Sequence, residues 1–197
     1  MIATAGHPAT LALLHLAPRP GDLDGNRRLI EAGAQAAAAA GARLIVTPEL
    51  ALSGYGFRDR IGTGWIAEGQ AERNAWASDL ALHCKAFLLL GTPEADGALF
   101  NSLVLFGPDG SRRGQPGDRP TVLEAEGIGR LGLAICADLH SPRLVAETAA
   151  PGIDLLVSAA AWAPGLHGPD GEWERASAAT HRPVVVCNRT GLDAIDF

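Results

Sequence analysis

The stretch Arg130-Leu-Gly-Leu-Ala-Ile-Cys-Ala-Asp-Leu-His-Ser-Pro142 sets the reading of the whole chain. Its apolar run, with Gly132 inside it, reads as a buried strand. The run stops at Cys136, and polar Asp138, His140 and Ser141 follow before Pro142. Ser141 suits the cap of a helix and Pro142 its first position. A cysteine thus stands where a strand hands over to a helix, near free N–H groups that favour a thiolate. Nucleophiles are often mounted on turns of this kind. A lone cysteine at a strand end otherwise only packs, so a second element has to decide between the two.

Upstream, residues 10–17 read as a first strand, closed by Pro18, Pro20 and Gly21, with His15 as a hydrogen-bonded core or edge histidine. Asp22 or Asp24 caps a helix running to about Ala40, with Leu29, Ile30, Gly33 and Ala37 spaced for an inward face and Gly41 as its stop. Residues 43–47 form a second strand that Pro48 ends, and Glu49 comes next. A glycine-rich loop over residues 50–64 carries Tyr55 and leads to a helix over residues 67–86. Strands over residues 87–91 and 100–106 follow, the second closed by the turn Pro108-Asp109-Gly110. Residues 111–120 are irregular, and residues 121–125 pair with the Cys136 strand through a glycine turn. Downstream come a helix over residues 142–150, a strand over 154–158, a helix over 172–181 and a last strand over 183–188. Alternation of this kind argues an α/β fold with outer helices.

The chain of 197 residues is 47% apolar and carries a formal charge of −6. That length suits a single domain with a sizeable core, and that charge disfavours nucleic acid or an anionic membrane as partner. Cys84, Cys136 and Cys187 lie far apart with no C-x-x-C pair, so neither a zinc site nor a disulfide framework is expected. Together with the lack of a signal-like start or a long apolar run, this points to a cytoplasmic protein.

Three stretches carry a resemblance: Leu44-Ile-Val-Thr-Pro-Glu-Leu-Ala-Leu-Ser-Gly-Tyr55, Phe100-Asn-Ser-Leu-Val-Leu-Phe-Gly-Pro-Asp-Gly110 and Gly132-Leu-Ala-Ile-Cys-Ala-Asp138. In this order they resemble the nitrilase (carbon–nitrogen hydrolase) superfamily, and Trp162 and Val184-Val-Val-Cys-Asn-Arg-Thr-Gly191 agree with it. The resemblance implies a four-layer α-β-β-α sandwich and pairing of subunits into a homodimer or higher oligomer. It implies hydrolysis of a small amide or nitrile through a cysteine thioester, with no cofactor and no metal. Glu49 matches the general base and Cys136 the nucleophile, with the Ala137 N–H at the oxyanion. His140 stands where the family often carries substrate-facing groups, and Tyr55 and Trp162 are expected as substrate-binding walls of the pocket. The plainer alternatives are a solvated loop carboxylate for Glu49, a surface histidine for His140 and core aromatics for Tyr55 and Trp162. Asp138 is expected to tie down the turn.

Two departures from the family's pattern stand out. The only lysine is Lys85, in a helix end. The segment after Gly110 that carries the family's catalytic lysine is shortened to Ser-Arg-Arg-Gly-Gln-Pro-Gly-Asp-Arg-Pro120. Arg112, Arg113 and Arg119 are the cations left nearby, and an arginine fork does not replace an ammonium group. Family members also continue beyond the stretch matching Asn188–Gly191, which implies a single domain over residues 1–197 that is incomplete at its C-terminal end. The alternative function is therefore an impaired or inactive member of the family, a binding or scaffold protein, or a gene fragment.

Overall fold

The computed structural model describes residues 9–114, 120–163 and 170–191. Two sheets form its centre. The first contains β1 (Leu11–Leu13), β2 (Leu44–Val46), β3 (Phe87–Asp96), β4 (Ala98–Phe106) and β5 (Arg112–Arg113), in that spatial order. β1, β2 and β3 run parallel, and β4 and β5 follow antiparallel. The second contains β6 (Thr121–Ala125), β7 (Gly129–Ile135), β8 (Leu155–Ala160) and β9 (Val184–Asn188), with β6 antiparallel to β7 and the rest parallel.

Side-chain alternation explains the layering. Leu44, Val46, Leu89 and Leu105 of the first sheet pack against Leu131, Leu133 and Val157 of the second. Ile45, Leu88, Leu90 and Phe106, one residue out of phase, face α1 (Leu23–Ala39) and α4 (Gln70–Cys84) through Ile30, Ala34, Ala77 and Leu80. On the other side Ala134, Leu156 and Ala160 meet α5 (Pro142–Ala149) and α6 (Glu172–Thr180) through Val145 and Ala176. Strands buried on both faces read as unbroken apolar runs, and the result is the expected α-β-β-α sandwich. Cys187 lies between the sheets, its Sγ 3.2 Å from the Val46 carbonyl and 3.4 Å from that of Leu14. Among the described residues no helix is long and apolar enough to cross a membrane.

Local signals place most elements. Asp22 caps α1, its Oδ1 accepting from the Gly25 N–H at 2.9 Å, and Gly41, at φ 86°, follows its end. Ser141 caps α5, accepting from the Leu144 N–H at 3.3 Å, with Pro142 in the first turn. Five expectations are corrected. The first ladder covers only Leu11–Leu13, although the Leu14 N–H still reaches the Val46 carbonyl at 2.9 Å. Leu29 is 38% exposed, and the buried face of α1 is Asn26, Ile30, Ala34 and Ala37. Asn26 is tolerated there because it bonds the backbone of Arg19 and Leu52. The helix over residues 67–86 is two pieces, α3 (Trp65–Glu68) and α4, parted at Gly69, and α2 (Arg58–Ile61) interrupts the glycine-rich loop. β3 and β4 extend toward each other to a tight turn at Gly97, whose φ of 67° suits glycine.

Candidate active site

Both halves of the site stand just beyond strand ends. After β2, Thr47 is pinned to β3: its N–H donates to the Leu89 carbonyl at 3.0 Å, and its Oγ1 accepts from the Gly91 N–H at 2.9 Å. Pro48 ends the ladder, and Glu49 follows, 6% exposed. Gly91 is required here, because a Cβ on it would lie 2.1 Å from the Pro48 carbonyl oxygen. We expect Gly91→Ala to lose about 1–3 kcal/mol of stability, the usual range for overpacking, and to move Glu49 with Pro48. A urea melt reads the first effect and the rate of Cys136 alkylation the second.

After β7, Cys136 adopts a left-handed φ of 44° and opens a 3-10 turn over Cys136–His140. Such a conformation is costly for a residue with a side chain and is found at functional turns. Asp138 ties down this turn as expected, its Oδ2 accepting from the Ile135 N–H at 2.8 Å. The thiol is therefore separated from α5 by a whole turn, and the helix end does not act on it as the sequence suggested.

The two strand ends meet in one cavity of about 390 Å3, lined by Glu49, Tyr55, Asn101, Cys136, Ala137 and Asp138 among others. Glu49 Oε1 accepts from Asn101 Nδ2 at 2.7 Å. Its Oε2 is buried without a well-formed hydrogen bond, and the Cys136 thiol and the Ala161 N–H face the carboxylate. Burial raises the pKa of Glu49 above the usual carboxylate value, and the Asp138 charge adds to this; Asn101, Cys136 and Ala161 act in the opposite sense. The Cys136 thiol is pushed up to about 12, first by burial and then by the Glu49 charge, against the N–H groups of Ala161 and Ala137. The thiolate-favouring environment expected from the sequence is thus reversed: at rest the sulfur carries its proton. Burial also raises Tyr55, with the charges of Glu49 and Cys136 adding.

The remaining assigned residues lie elsewhere. His140 turns from the cavity, its Nδ1 3.2 Å from Glu172 Oε1 and its ring edge-on to Trp162 at 5.5 Å. Trp162 is 8% exposed and packs in the layer beneath α5 and α6. Its backbone is held by the Asn188 amide at both N–H and carbonyl, which fixes Ala161 beside the thiol. Arg112 Nη2 is 2.6 Å from the buried Glu94, and Arg113 donates to the Glu124 carbonyl and lies over Phe87. Lys85 caps α4 on the exposed surface, and Arg119 lies outside the described residues. Among the described lining residues none is a lysine or arginine. No group of three or more metal-binding side chains occurs among the described residues.

Sequence reasoning missed Asn101 and Ala161. Asn101 sits within a stretch that carried the resemblance, and a polar pair, Asn101-Ser102, inside an otherwise apolar strand was the available signal. Ala161 acts through its backbone, which no side chain announces.

A buried carboxylate beyond the end of β2 and a thiol beyond the end of β7, one from each of the two sheets, thus share one cavity. The profile of the carbon-nitrogen hydrolase family matches residues 10–195, and the chain belongs to that family. Among relatives, it is 30% identical over 185 residues to a 2-oxoglutaramate amidase of Paenarthrobacter nicotinovorans, covering 77% of this chain and 61% of that one. It is 28% identical over 163 residues to a nitrilase of Pyrococcus abyssi, covering 74% and 62%. The chain thus spans about three-fifths of the length of these relatives. The crystal structure of an amidase from Nesterenkonia sp. superposes with a TM-score of 0.81 at 24% identity, covering 98% of this chain and 80% of that one.

Proposed function

We propose that this protein hydrolyses a small linear amide through a thioester on Cys136, with Glu49 as general base and acid. What carries the reading is the meeting of Glu49 and Cys136 in one cavity. As Sγ attacks the carbonyl carbon, its proton passes to Glu49 and the carbonyl electron pair moves onto oxygen, which the Ala137 N–H faces. Collapse breaks the C–N bond, and Glu49 returns the proton to the departing ammonia or amine. Water, deprotonated by Glu49, then attacks the thioester; the acid is released and the sulfur regains its proton. Tyr55 forms one wall for the acyl group. A cavity of about 390 Å3 is at the small end of ligand pockets and suits a short substrate. In support, a variant of the Nesterenkonia sp. AN1 amidase carries the acetamide moiety of fluoroacetamide covalently at its active site cysteine.

A second reading, binding without turnover, is favoured by one observation: the thiol sits at about 12, with no cationic side chain among the described lining residues. Incubation with a panel of short aliphatic amides decides between them. Turnover predicts ammonia release and an acyl adduct on the Cys136 peptide by mass spectrometry. Amide binding with neither product supports the second reading and overturns the first.

A further inference from the structure

We infer that Asn101 is a positioning residue that selects which oxygen of Glu49 addresses the Cys136 sulfur; the inference rests on the proposed reading of that pair. Asn101 stands on β4 opposite Pro93 of β3, in a ladder running from Leu88 and Phe106 to Asp96 and Ala98. Its Cα is therefore fixed by a continuous hairpin rather than by a loop. Its Nδ2 donates to Oε1 at 2.7 Å, a length typical of a hydrogen bond to a charged acceptor. With Oε1 held, Oε2 is the oxygen left buried without a well-formed bond, and it belongs to the carboxylate that the thiol faces. A free glutamate side chain would rotate about its last torsion and present either oxygen. The amide removes that freedom.

The same bond also bears on when the carboxylate is ionised. Glu49 is faced by Cys136 at the end of β7, by Asp138 in the turn after it and by Tyr55 from the loop after β2. It is also faced by the Ala161 N–H at the end of β8 and by Asn101 from β4. Burial and Asp138 work against the anion. Asn101 is the strongest of the groups that favour it. Asn101 is itself exposed, so its replacement opens no hole in the core.

The test is the rate of Cys136 alkylation by iodoacetamide as a function of pH in the full chain, with the labelled peptide quantified by mass spectrometry. In the unsubstituted protein the rate rises as Glu49 ionises. In Asn101→Ala and Asn101→Leu this limb is expected to move up by about one pH unit, with rates on the limb about tenfold lower, as loss of one bond to a charged group would give. A general structural defect would lower the rate at every pH and leave the midpoint in place. Leucine retains the bulk of asparagine and decides the matter if the alanine variant does not fold. A midpoint unmoved in the folded variants overturns the inference, while Glu49→Gln abolishing the limb leaves the reading of the pair standing. A limb that persists in Glu49→Gln overturns that reading, and the inference with it.

Discussion

Cys136→Ala is expected to abolish amide turnover, by on the order of 10^4-fold or more, while leaving the fold intact. The magnitude follows from covalent catalysis: with no sulfur to attack, only the remaining binding and oxyanion groups act on the amide, and their residual effect is small beside the loss. The fold should survive because Cys136 is only partly buried and the turn it opens is held by Asp138 and Ile135. Alanine also accepts the left-handed φ of 44° no worse than cysteine does. Ammonia release measures the first effect and circular dichroism the second. Cys84→Ala serves as the control, since Cys84 ends α4, remote in the chain from both strand ends. Retention of turnover in Cys136→Ala would assign the nucleophile elsewhere.

Glu49→Gln has the second largest expected effect, and its dependence on pH is the informative part. With the thiol pushed up to about 12, the thiolate fraction at neutral pH is on the order of 10^-5. Reaction there needs a base that takes the proton as the bond to carbon forms, and Glu49 is the group in place. Loss of such a base lowers turnover by about 10^2 to 10^4-fold near pH 7. The sign changes at high pH. The Glu49 charge is one of the two main influences holding the thiol up, so glutamine lets Cys136 ionise earlier. The rate deficit of the variant should therefore shrink steadily as pH rises through 9 and 10. At the acid end the unsubstituted protein should lose activity as Glu49 protonates, and its raised pKa places that loss above the usual carboxylate range. Parallel pH profiles for the two proteins would mean that Glu49 is not the base.

Much of this was legible from the letters, for physical reasons. The cap at Ser141 with Pro142 after it, the glycine stop at Gly41 and the double-sided apolar strands are local signals, and the structure follows them. Cys136 stood out where a strand hands over to a helix, whereas Glu49 was picked out by the family resemblance, with its place at a strand end in support; the cavity joins both. The misses are tertiary. Leu14 lies outside the first ladder although its N–H still bonds across to β2, and Leu29 is turned outward by how α1 rolls on the sheet. His140 faces Glu172 because a carboxylate buried in α6 draws partners, His140 and Arg175 alike. That carboxylate is more than thirty residues away in the chain. The expectation of an activated thiolate failed because burial and a neighbouring charge outweigh a few N–H groups. No local reading of the Cys136 turn contains either the burial or Glu49.

The cysteine wedged between the sheets has a practical consequence. Cys187 is fully buried, and burial pushes its thiol up to about 12. No reagent can reach it until the two sheets separate. Cys84, half-buried on an outer helix, needs no such separation. A single time course of thiol modification would therefore carry its own internal clock for global opening: a variant that merely dulls the pocket slows one sulfur, whereas a variant that loosens the sandwich hastens another.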